Sequence, residues 1–298
     1  MSRFLKLNLL IITILILSTA IYGDDRPVGF KPLNNGIGAR EVGMGGTGVT
    51  SAEGGFSFYF NPALSGMANK IFLHLSYTDW FLDTYQSGLF FLRPTKFLNL
   101  GFGLIFFDYG KLELRSDKPE DPVGEYSPKD LSLYFNLARS LSKRLSLGTS
   151  LRYFYERIYQ EEAKGWGLDL GLLYQVSGWR IGFSYLNWGD VLKFKREAFY
   201  LPASCRLGIS RYFLVNNFSF WPAFDLTYSP YEKKWRFFLG GEVNFKETIS
   251  FRFGYAKDSP TFGLGLKWGI FQFDYSGIIK KEFPTPCHYF TFCLKTGY

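Results

Sequence analysis

The 298-residue chain is 20% aromatic, with 33 Phe, 20 Tyr and 7 Trp, and has a formal net charge of +8. Its basic residues are dispersed, which suits anionic lipid head groups and gives no nucleic-acid-binding face. Cys205, Cys287 and Cys293 are odd in number and have no C-x-x-C spacing, which argues against a disulfide framework or a thiolate metal centre.

The chain opens with Arg3 and Lys6 ahead of an apolar run from Leu9 to Ala20, closed by Ser18-Thr19-Ala20. This pattern predicts a secretory signal peptide over residues 1–20, cleaved after Ala20 or, second, after Gly23. Removing Arg3 and Lys6 takes the charge from +8 to +6. No later apolar run is long enough for a membrane helix. An exported, aromatic-rich chain of this kind can enter a bilayer only as a closed β-barrel, since lipid leaves no other way to satisfy backbone polar groups.

Residues 21–70 form a separate segment, dense in glycine from Gly36 to Gly55 and ending near Asn61-Pro62-Ala63. Gly43-Met44-Gly45-Gly46-Thr47-Gly48 fits the spacing of a dinucleotide fingerprint. It lacks the preceding buried strand and the following helix that such a site needs, so no cofactor is expected. Phe56, Phe58, Tyr59 and Phe60 are too apolar for a free leader and predict packing on another surface. Pro62 biases Asn61 towards extended backbone.

From residue 71 to 298 the dominant period is two. Ile71, Leu73, Leu75 and Tyr77 alternate with Phe72, His74, Ser76 and Thr78, and the pattern recurs to Phe262, Leu264, Leu266 and Trp268 against Gly263, Gly265 and Lys267. The expected strands lie near 71–79, 85–93, 97–109, 129–140, 145–156, 165–176, 179–187, 200–212, 218–228, 234–245, 248–256, 261–268, 270–278 and 287–298. Alternate connections are tight, as at Ser177-Gly178 and Lys246-Glu247. The others are mostly longer and charged: Gly110–Pro128, Tyr159–Lys164, Asp190–Phe199 and Ile279–Pro286. Short turns on one rim and long loops on the other predict an all-β, transmembrane antiparallel barrel of about fourteen strands. Both termini are then expected on the short-turn, periplasmic side of an outer membrane. Trp80, Trp166, Trp188 and Trp268 are expected in interfacial girdles.

By parity, His74, Arg152, Asp169, Arg180, Arg206, Glu242, Arg252, Lys267 and Asp274 face the lumen. A charge facing lipid at mid-membrane would cost about 2–4 kcal/mol. Mutual ion pairing and hydrogen bonds to the N-terminal segment are the expected use of these groups. His74 and His288 point to opposite sides, and no HExxH or GxSxG spacing occurs, so no catalytic or metal site is expected.

Gly38-Ala39-Arg40, then Met44-Gly45-Gly46, then Asn61-Pro62-Ala63 resemble the opening of the FadL-type outer-membrane proteins, closest to the PorV/PorQ branch. The motif covers about a tenth of the chain, and Leu64-Ser65-Gly66 departs from it. The resemblance implies that the segment carrying Arg40, Gly43, Gly45, Gly46, Gly48, Asn61 and Pro62 is a plug in the lumen. It implies passage of hydrophobic small molecules past that plug and through the wall. The PorV/PorQ branch implies the alternative of a type IX secretion accessory that binds secretion-system proteins and exported cargo.

Overall fold

The computed structural model describes residues 28–30, 35–115, 122–189, 192–194, 197–256, 258–279 and 285–297. The signal peptide at 1–20, residues 21–27 and 31–34 of the segment that follows it, the tip of the Gly110–Pro128 connection and the terminal Tyr298 lie outside the described residues.

Period-two patterning gives strands β1 Lys70–Asp79, β2 Tyr85–Arg93, β3 Asn99–Asp108, β4 Lys129–Ser140, β5 Leu145–Ile158, β6 Glu161–Val176 and β7 Trp179–Gly189. The second half supplies β8 Ser204–Arg211, β9 Phe218–Ser229, β10 Lys234–Phe245, β11 Ile249–Ala256, β12 Ser259–Trp268, β13 Phe271–Ile278 and β14 Cys287–Gly297. Phe213–Val215 resumes pairing with β9 just beyond the end of β8 and is its continuation. Each strand pairs antiparallel with its sequence neighbour. β1 also pairs with β14, in the register His74↔Cys293, so the sheet closes on itself as a fourteen-strand barrel. Closure satisfies every strand edge without an exposed template for further pairing.

The two faces divide as the alternation requires. On β1, Leu75 and Tyr77 are exposed outwards, while His74, Ser76 and Thr78 are buried inside. Leu133, Leu151, Phe251, Leu264 and Phe290 continue the outer apolar surface. Trp166, Trp188 and Trp268 lie on that surface. Trp80 does not: it is buried against Phe107 and Tyr289. It continues the even-numbered inward face of β1, and that parity overrides the general preference of tryptophan for an interface.

The rims differ as expected, with one correction. Gly110–Pro128 carries a hairpin of Leu112–Arg115 on Pro122–Tyr126, and a second hairpin, Leu192–Phe194 on Glu197–Phe199, rises between β7 and β8. Tyr159–Lys164 is not a long loop. β5 and β6 run for 14 and 16 residues and meet at a tight turn. A spanning strand needs only about 9–11 residues, so the charges of Glu161, Glu162 and Lys164 mark strand that stands clear of the bilayer.

Residues 35–68 are neither strand nor open coil. Ala39–Gly43 is one helical turn, Gly54–Phe56 and Pro62–Met67 are 3₁₀ turns, and Ser57–Phe60 is a further helical turn. Asn61 is extended, at φ −153° and ψ 110°, as the following proline requires. This stretch lies against the inward faces of strands all round the barrel. Before it, Val28 bridges to Tyr200 and Phe30 packs on Phe154 and Leu201, towards the long-loop rim. β1 begins and β14 ends at the short-turn rim. An even strand count therefore fixes only the ends of the strand set, because residues 35–68, which precede β1, themselves lie within the barrel.

Candidate functional site: the barrel lumen

The lumen is organised by which side chains of the wall meet residues 35–68. On one side the contact is apolar. Phe56, Phe58, Tyr59 and Phe60 pack with Phe90, Ile105, Tyr134 and Leu173 in one buried cluster. Phe56 stacks on His74 at 4.7 Å, and the Gly55 N–H donates to His74 Nδ1 at 2.9 Å. His74 is thus a buried acceptor for the segment.

On the other side the contact is ionic. Arg40 donates from Nε and Nη2 to the two oxygens of Glu242, at 2.9 and 3.0 Å, and from Nη1 to the Ser51 carbonyl at 2.7 Å. Arg252 donates from Nε to Glu242 Oε2 at 2.6 Å and pairs through Nη1 with Asp274 Oδ1 at 2.7 Å. All four groups are buried. A fork-to-carboxylate pair of this kind fixes geometry as well as charge.

Arg152 and Asp169 form a second buried ion pair. The pairing of β6 with β7 shifts register between Leu168 and Leu170, and Asp169 Oδ1 accepts the Asn187 N–H there at 2.7 Å. Arg152 also donates to Asn187 Oδ1 at 2.8 Å and to the Tyr59 carbonyl at 3.1 Å. Arg206 donates to Thr227 Oγ1 at 3.1 Å and lies over the Phe60 ring. Lys267 sits at the short-turn rim, 3.6 Å from Glu247. Arg180 makes one long hydrogen bond, 3.4 Å, to the Thr50 carbonyl.

The glycine run packs on the wall. Gly45 has φ +70°, and a Cβ there would lie 2.7 Å from the Tyr255 nitrogen, so only glycine fits both the turn and the approach. Gly43 meets Gly263, Gly46 faces Phe238 and Gly48 lies under the Phe60 ring. Asn61 is fully buried: it donates to the Val49 and Leu172 carbonyls at 2.9 and 3.1 Å and accepts from Ala63 N–H at 3.0 Å. Pro62 begins the 3₁₀ turn that leads to the short-turn rim.

Parity also marks residues that the charge pattern alone passed over. Asp225 accepts the N–H groups of Gly48 and Val49 at 2.7 and 2.9 Å. Asn136 Oδ1 accepts from Ser65 Oγ at 2.5 Å, and Thr291 Oγ1 accepts from Ala39 N–H at 2.9 Å. Asp130 and Glu156 face each other across β4 and β5, and Tyr109 donates to Asp130 at 2.8 Å. Burial, reinforced by that carboxylate, holds the Tyr109 phenol well above its ordinary pKa. Asp225 interrupts Phe224 and Leu226, so its inward position was available from alternation. Its backbone partners were not.

Among the described residues no cluster of three or more His, Cys, Asp or Glu could hold a metal. A polar cavity of about 430 Å³ remains between residues 35–68 and the wall near the short-turn rim.

No family model matches the sequence, and no curated protein matches it. Solved structures do match. The CymD monoaromatic hydrocarbon channel is similar at a TM-score of 0.63 and 16% identity, covering 88% of this chain and 98% of that one. The Pseudomonas putida toluene transporter TodX gives 0.62 and 13%, covering 87% and 96%. A Pseudomonas aeruginosa FadL homologue gives 0.53 and 10%, covering 87% and 97%. At these identities the likeness is one of fold: a fourteen-strand antiparallel barrel of the FadL type.

Proposed function

We propose that this chain is an outer-membrane channel for hydrophobic small molecules and that residues 35–68 are its plug. The carrying observation is a lumen occupied by a segment held on one side by buried aromatics and on the other by Arg40, Glu242 and Arg252. An aromatic cluster along one side of the bore offers nothing to ions or sugars, whereas an apolar solute can be accommodated by rearranging it. The names of CymD and TodX, a monoaromatic hydrocarbon channel and a toluene transporter, support the same cargo class. On this reading the short-turn rim is periplasmic and the hairpin of Leu112–Arg115 is extracellular. The role is transport rather than catalysis, in keeping with a His74 engaged by the Gly55 N–H. Intact cells carrying the barrel in their outer membrane should take up toluene faster than otherwise identical cells lacking it. Equal rates would reject the transport reading.

The motif Gly38-Ala39-Arg40 supports a second reading, a PorV/PorQ-type accessory of type IX secretion. Recovery of exported proteins with the barrel from outer membranes, together with failure of toluene uptake, would favour it.

A further inference from the structure

The polar cavity at the short-turn rim has features that neither plugging nor hydrophobic transport requires. Arg180 and Arg40 lie over the same indole ring, with guanidinium carbons 4.9 and 5.2 Å from the Trp221 centroid. Arg40 is neutralised by Glu242. Among the described residues Arg180 has no carboxylate within ion-pair distance, and its one hydrogen bond is the long one to Thr50. Trp221 is 5% exposed and lines the cavity. Around the cavity, Arg40 and Arg252 are matched by Glu242 and Asp274, and Lys267 pairs with Glu247. That leaves Arg180 and Lys295 against Glu53, a surplus of positive charge and of donors. The volume, about 430 Å³, falls within the range of small-molecule sites.

We propose that this cavity is an oxyanion site, separate from the apolar path, that takes one carboxylate or phosphate group on Arg180 beside the Trp221 ring. An anion there would neutralise Arg180, the guanidinium over that ring that lacks a carboxylate. It would also bridge the wall, through Arg180, to the N-terminal segment, through Arg40. The test is titration calorimetry on the full-length barrel in neutral detergent. The probes are inorganic phosphate, benzoate and, as the uncharged control, benzyl alcohol. Saturable binding of phosphate or benzoate is expected, and which of the two binds identifies the source of the group. Arg180→Gln should weaken that binding at least tenfold, and Arg180→Lys should restore part of it. Trp221→Leu removes the ring over which Arg180 lies, and should weaken binding at least threefold. Heat-modifiable gel mobility reports whether each variant folds, and the tryptophan variant decides the question if the arginine variants fail. Absence of binding by both anions, binding of benzyl alcohol equal to benzoate, or affinity unchanged in folded variants would overturn the proposal.

Discussion

Replacing Glu242 by Gln should loosen the N-terminal segment from one side of the barrel while leaving the barrel closed. The carboxylate holds two buried guanidiniums, one from the segment and one from the neighbouring strand, through contacts of 2.9, 3.0 and 2.6 Å. After the change Arg252 keeps Asp274 at 2.7 Å. Arg40 keeps only the Ser51 carbonyl and a distant Glu41, at 3.4 Å. Removing one partner of a buried pair costs about 3–5 kcal/mol. Glutamine can still accept one hydrogen bond, so the lower end, about 3 kcal/mol, applies, or roughly a hundredfold in the docking equilibrium. Hydrogen exchange reads this directly at Val42, Met44 and Gly46, whose N–H groups bond within the segment to Gly38, Arg40 and Glu41. Their exchange should quicken by about two orders of magnitude, while strand amides of the β1–β14 ladder stay protected. Exchange within threefold of the wild-type rate at all three amides would refute the ionic anchor.

Asn61→Ala removes two donated bonds and one accepted bond at a fully buried site. It should cost about 2–3 kcal/mol of local stability, seen as faster exchange at Ala63 and Leu64. Asp169→Asn leaves Arg152 buried without its carboxylate beside the β6–β7 register shift. It should lower the temperature at which the barrel unfolds on a heat-modifiability gel, by an amount matching about 3 kcal/mol or more. An epitope inserted at Val123, exposed on the Pro122–Tyr126 strand, should bind antibody on intact cells. Binding only after permeabilisation would reverse the assigned orientation.

The barrel was legible because a strand's two faces see different solvents, so alternation survives in the sequence wherever lipid meets one face. Alternation puts His74, Arg152 and Glu242 inward, and it puts Trp80 inward as well, against the interfacial preference of tryptophan. Loop length was less legible. The charges at Glu161 and Glu162 report exposure to water, and a strand standing clear of the bilayer is as wet as a loop. The partners of the lumen charges were not legible at all. That Glu242 meets both Arg40 and Arg252 depends on where a segment without period settles across the bore. Its glycines said that something lies close, and the Asn61-Pro62 pair said where the chain turns. Neither named Asp225 or Trp221 as the surface it meets.

The central claim, that residues 35–68 close the lumen, is tested most directly by single-channel conductance in planar bilayers. The intact protein is compared with a variant lacking Gly43 to Gly48, the stretch that packs against Leu239, Tyr255 and Gly263. The strands all lie downstream of the deletion, so the barrel should still form. The account predicts small, infrequent currents from the intact protein and a large, sustained conductance from the deletion. An intact protein that already conducts like an open porin, unchanged by the deletion, would contradict it.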